Sequence, residues 1–117
     1  MAQTLELNIV KAGEQAAILE ISGEIDLFNA KLIKQGLADV CADSRDVLLD
    51  FGEVHYIDSA GLGAILSVVS KLRSEGKVLR FFSVGEQVMN LLRMTMVDTL
   101  VEIYETKEAA VATLKPD

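Results

Sequence analysis

Residues 46–72 read DVLLDFGEVHYIDSAGLGAILSVVSKL, and the way this stretch divides decides the fold. DVLLDF (46–51) is a short apolar run bounded by charges, with no polar alternation inside it. That is the pattern of a central strand covered on both faces. GEVHYID (52–58) reads as a connection. From Ser59 to about Ser74 the apolar residues Leu62, Ile65, Leu66, Val69 and Leu72 recur at helical spacing. The change from strand to helix falls at DSAGLG (58–63), where Asp58 or Ser59 is placed to cap the helix.

Working outward, TLELNIV (4–10) alternates, with Leu5, Leu7 and Ile9 on one side, as in a half-buried strand. Gly13 marks a turn within KAGEQ (11–15), and AAILEISG (16–23) returns as a second, hairpin-related strand that GEID (23–26) ends. Asn29 or Asp26 is placed to cap a helix over NAKLIKQGLADVCAD (29–43), whose apolar stripe is Leu32, Ile33, Leu37, Val40 and Cys41. After the central helix, EGK (75–77) turns the chain and KVLRFFSV (77–84) is a strand. EQVMNLLRMTMV (86–97) reads as a helix with Val88, Leu91 and Leu92 on one side. Leu100 to Tyr104 is a short strand and KEAAVATLK (107–115) a last helix. Two strands followed by alternating helices and strands imply an α/β domain with a mixed sheet, without fixing the strand order.

The chain has 117 residues, the size of one domain. Half of them are hydrophobic, enough for a core without covalent staples. The formal charge is −7, which argues against nucleic acid and against an anionic membrane surface as partners. Cys41 is the only cysteine and His55 the only histidine, so no internal disulfide, Cys/His metal site or cofactor ligand set is expected. These absences fit a reducing cytoplasm. MAQTLELNIV (1–10) does not read as a signal peptide, and no apolar run is long enough to span a bilayer.

Ser59 invites several chemistries. A serine nucleophile needs a base within reach, and His55 is the only histidine available. The nucleophile-elbow pattern asks for glycine two residues before the serine and two after; Gly61 matches, but Ile57 stands in the first place. A phosphate cradle is poorly matched too: DSAGLG lacks the nucleotide-loop lysine, and Asp58 would repel the phosphate. A capping residue alone leaves Gly61 and Gly63 unexplained, since each costs about 0.5–1 kcal/mol relative to alanine in a helix. Two glycines there give the helix start a bare surface that another molecule can approach.

YIDSAGLGAIL (56–66) resembles the phosphorylation-site segment of STAS-domain anti-sigma-factor antagonists. ISGEIDLFNAKLI (21–33) resembles the other signature of that family. The likeness continues through VLLDF (47–51), EGKVLRFFSV (75–84) and VDTLVEIYETKEAAV (97–111), so it covers nearly the whole chain, 1–117, as one STAS domain. It implies a mixed sheet with helices packed mainly on one face, and a regulator rather than an enzyme. In the implied cycle, called partner switching, the unphosphorylated protein binds an anti-sigma factor that is also a serine kinase, and the sigma factor is freed. Phosphorylation of the antagonist dissociates the complex, and a metal-dependent serine phosphatase reverses the mark.

The resemblance places the phosphoacceptor at Ser59 and the partner-binding surface at Asp26, Asp58, Ser59, Ala60, Gly61 and Gly63. Many relatives carry a second hydroxyl after the acceptor; Ala60 stands there, leaving Ser59 as the only hydroxyl in the motif. Asn29 occupies the position of a common threonine in the first signature. A phosphoserine brings about −1.5 to −2 charges. A helix N-terminus tolerates that charge in the free protein, whereas a close interface next to Asp58 and Asp26 does not.

An alternative keeps the fold and changes the job, making the chain a soluble STAS subunit of a transporter or larger signalling assembly. A serine hydrolase using His55 is the third reading. Cys41 is expected in the core, and Met89, Met94 and Met96 in core or edge packing. For Asp26, loop capping and partner recognition stand level.

Overall fold

The hairpin expected at the start of the chain forms as β1 (Glu6–Lys11) and β2 (Ala16–Ile25), which pair antiparallel with Glu6 opposite Ser22 and Lys11 opposite Ala17. The computed structural model describes residues 5–114; Thr4 of the first expected strand and Lys115 of the last expected helix lie outside them. From β2 onward helices and strands alternate: α1 (Ala30–Ala42), β3 (Asp46–Ile57), α2 (Ser59–Ser74), β4 (Val78–Phe82), α3 (Glu86–Met94), a 3-10 turn (Val97–Thr99) and β5 (Glu102–Tyr104). A short α4 (Lys107–Val111) follows. The sheet order is β1-β2-β3-β4-β5, with every pair after the first parallel.

This order answers what the sequence left open. Each crossover from β2 to β5 steps to the next strand in the same direction along the sheet. Right-handed connections then place α1, α2 and α3 on one face. Val47, Leu49 and Phe51 of β3 belong to the large core beneath these helices, with Leu19, Ile33, Leu37, Ile65 and Phe81. Leu48, pointing the other way, joins Ile18, Phe82 and Ala110 in a small cluster under α4. DVLLDF is therefore covered on both faces, as its continuous apolar run implied.

Several expectations are corrected. All of GEVHYID but Asp58 is the second half of β3, not a connection: it pairs with Ser22–Ile25 of β2 and buries Val54 and Ile57. β2 likewise runs through Gly23 and Glu24 to Ile25. Leu32 is half-exposed, so the α1 stripe is Ile33, Leu37, Val40 and Cys41. The expected helix over 86–97 stops at Met94, because Met96 turns left-handed at φ 64°. Met94 and Met96 consequently face solvent, Met94 with 82% of its surface exposed, and only Met89 packs against the core.

Candidate functional site

Ser59 is the first residue of α2, at the end of β3, and is exposed. Its side chain makes no hydrogen bond among the described residues. The capping role belongs to Asp58 instead. Its backbone is extended, and its Oδ1 accepts from the Gly61 amide at 2.8 Å. The amides of Ser59 and Ala60 fall among the orphan N–H groups of a helix start. A free, exposed hydroxyl thus stands beside unpaired donors, while its neighbour caps the helix.

The loop between β2 and α1 adjoins this helix start. The Leu27 amide donates to Asp58 Oδ2 at 3.1 Å, and the Asp58 amide donates to the Ile25 carbonyl at 3.0 Å. Within the loop Asp26 Oδ1 accepts from the amides of Phe28 at 2.9 Å and Asn29 at 3.1 Å. Asn29 answers through its own side chain: Oδ1 accepts from the Asp26 amide at 2.9 Å, and Nδ2 donates to the Glu24 carbonyl at 2.6 Å. Asp26 is therefore a loop-capping residue, and its half-buried carboxylate still adds negative charge near the site. Neither Asp26 nor Asn29 caps α1 as expected, because the side chain of Asn29, at the N-cap position, is turned back into the loop.

The two glycines divide in role. A Cβ on Gly61 would lie 2.6 Å from Ile25 Cγ2 and 2.7 Å from the Ile25 carbonyl oxygen, so this glycine exists to let α2 sit on the end of β2. It is buried and offers no surface, which corrects the reading of both glycines as bare surface. A Cβ on Gly63 would meet nothing within 4 Å. Gly63 is exposed and alone keeps the bare patch that the sequence suggested. Ala60 is half-buried between them and Ser59.

What the sequence reading missed is the apolar flank of this site. Phe28 is 85% exposed and Leu27 67%, both in the loop tied to Asp58, and half-exposed Leu32 follows in the first turns of α1. The signal was present as two large apolar residues side by side between a strand end and a helix start. His55, by contrast, projects from β3 into solvent, with Nε2 4.0 Å from Glu53 Oε2. No hydrogen bond joins it to Ser59 among the described residues.

The STAS domain family model matches residues 8–110, and the chain belongs to that family. The anti-sigma-B factor antagonist of Bacillus subtilis is 25% identical over 108 residues, covering 92% of this chain and 99% of the relative. The crystal structure of an anti-sigma factor antagonist from Mycobacterium paratuberculosis superposes with a TM-score of 0.82 at 22% identity, covering 93% of this chain and 92% of the other, a likeness of fold. The fold also matches the Bacillus cell fate determinant SpoIIAA in its phosphorylated form, with a TM-score of 0.71 at 14% identity, covering 96% of this chain and all of the other.

Proposed function

We propose that this chain is an anti-sigma-factor antagonist acting by partner switching in the cytoplasm. Unphosphorylated, it binds an anti-sigma factor that is also a serine kinase, and the sigma factor is released. Phosphorylation of Ser59 dissociates the complex, and a serine phosphatase restores the binding form. The observation that carries the reading is the placement of Ser59: an exposed, unbonded hydroxyl at a helix N-terminus, flanked by Asp58, bare Gly63 and the exposed side chains of Leu27 and Phe28. Family membership and the likeness to the anti-sigma-B factor antagonist of Bacillus subtilis support it.

The physics of the switch follows from that placement. In the free protein a phosphate on Ser59 lies in water beside the helix dipole and the orphan amides, so it is tolerated. In a complex the same group has to lose its water next to the carboxylate of Asp58, with Asp26 close by, and like charges at short range in a desolvated interface are costly. Phosphorylation therefore changes affinity rather than fold. The chemistry sits in the kinase and the phosphatase; this chain is their ligand and substrate. Its acidic balance suits a basic patch on the kinase by steering encounter.

The test is to incubate the purified chain with the captured partner and ATP and to map phosphate by mass spectrometry. A single phosphate on Ser59, absent from Ser59→Ala, supports the reading. Phosphate on another residue, or none with an active kinase, contradicts it. Hydrogen exchange on the phosphoprotein gives the second readout: protection of the core is expected to persist, and global loosening argues against a switch at the surface.

A further inference from the structure

At the end of the α1–α2 pair remote from Ser59, the two helices leave a cleft of about 370 Å³. α1 supplies Lys34, Ala38 and Cys41, α2 supplies Val68, Lys71 and Leu72, and the turn after α2 supplies Glu75 and Lys77. The volume falls in the range of small-molecule sites. The floor is apolar, and burial pushes the Cys41 thiol up to about 11, so the thiol is neutral there at ordinary pH.

The charge on the rim is what sets the cleft apart. The chain carries 18 acids against 11 bases, yet three lysines line this cleft against one acidic residue, Glu75. Lys77 is engaged, donating to the Cys41 carbonyl near the end of α1. Lys34 and Lys71 have no ion-pair partner among the described residues. Helix C-termini contribute about half a negative charge each. Three lysines set against Glu75 and two helix ends leave about one positive charge to be balanced.

We propose that this cleft binds a small amphipathic monocarboxylate, its alkyl chain on the floor of Ala38, Val68 and Leu72 and its carboxylate held by Lys34 and Lys71. One negative charge matches the residual charge of the rim, and an alkyl chain covers apolar surface that no side chain of the protein fills. The site lies at the opposite end of α2 from the phosphoacceptor and stands independently of the switch proposed above.

The experiment is an amide-resolved NMR titration of the full chain with sodium octanoate, beside acetate, which has the charge without the chain, and 1-octanol, which has the chain without the charge. Saturable shifts confined to residues 34–42 and 68–77 are expected with octanoate, with acetate and octanol about tenfold or more weaker. Lys34→Gln with Lys71→Gln is expected to weaken octanoate about tenfold or more, and Ala38→Leu, which fills the cleft, to abolish saturation. The lysine pair is exposed, so that variant decides the question even if Ala38→Leu disturbs folding. Shifts that do not saturate, that centre on Phe28 or Met94, that are matched by octanol, or that persist unchanged in the lysine variant would overturn the proposal.

Discussion

Asp58 and Leu27, thirty-one residues apart, are joined by a hydrogen bond of 3.1 Å from the Leu27 amide to Asp58 Oδ2, while the other oxygen of the same carboxylate caps α2 through Gly61. One side chain thus holds both the helix that presents Ser59 and the loop that presents Phe28. Asp58→Ala is expected to lower stability by about 1–2 kcal/mol, the usual cost of a lost N-cap. Asp58→Asn separates the two duties. Asparagine caps helices well, but its amide cannot accept from Leu27 with its NH₂ group. Denaturant unfolding should show a small loss for Asn, below about 1 kcal/mol, with faster exchange of the Leu27 amide as its main signature. Equal stability of the Ala variant and the wild type would refute the capping role.

The glycines predict opposite effects from the same substitution. In Gly61→Ala the new methyl meets the backbone of Ile25, which cannot step aside, and overpacking of this kind costs about 1–3 kcal/mol. In Gly63→Ala the methyl enters open space, and the helix gains about 0.5–1 kcal/mol. Thermal or urea unfolding of the pair checks both signs. If Gly63 faces the partner, the stabilised Gly63→Ala variant binds it more weakly, a loss that folding cannot explain.

The contrast between these glycines also marks where the sequence stops being legible. DVLLDF, the helix from Ser59 to Ser74 and the cap at its start were readable because apolar spacing and capping chemistry are local. GEVHYID was not readable as strand. The register with β2 slips between Glu20 and Ser22 and again between Gly23 and Glu24, so β3 carries two extra residues there. Buried Val54 and Ile57 come three apart instead of two, and the alternation that announces a strand is lost. Leu32 has the spacing of a core residue but is half-exposed. Gly61 and Gly63 are two residues apart and therefore on different sides of α2, one against Ile25 and one in water, a difference that depends on which face the sheet takes. Strand order likewise required the tertiary packing.

The apolar flank makes a prediction about binding without stability. Phe28→Ser removes a side chain that is almost wholly in water, so unfolding is expected to move by no more than about 0.5 kcal/mol. If Phe28 anchors the partner, affinity falls by about tenfold or more, the scale of an aromatic hot spot. Calorimetry or surface binding against the captured partner measures it. Unchanged affinity removes Phe28 from the interface.

Cys41 supplies a pH test of the core. Burial raises its thiol from 9.0 to about 11, with Lys77 opposing and Glu75 adding to the shift. An acid whose folded value is raised binds its proton longer in the native state than in the unfolded one. Stability from this group is therefore full below about pH 9 and declines as the pH rises toward about 11. Other groups titrate in the same window, so the comparison is with Cys41→Ala: the decline between pH 8 and pH 10.5 should be shallower in the variant. Native Cys41 should also resist thiol reagents at neutral pH until the chain unfolds. Rapid labelling of the folded protein would contradict the burial of α1 against the sheet.

The most direct measurement is capture of partners from the native host on three baits: the wild type, Ser59→Ala and Ser59→Asp, with bound proteins identified by mass spectrometry. Partner switching predicts that Ser59→Ala retains a kinase-like anti-sigma factor and that Ser59→Asp loses it. Retention of one and the same partner by all three baits, a transporter complex for instance, would contradict the switch and leave Ser59 an ordinary residue at the start of a helix.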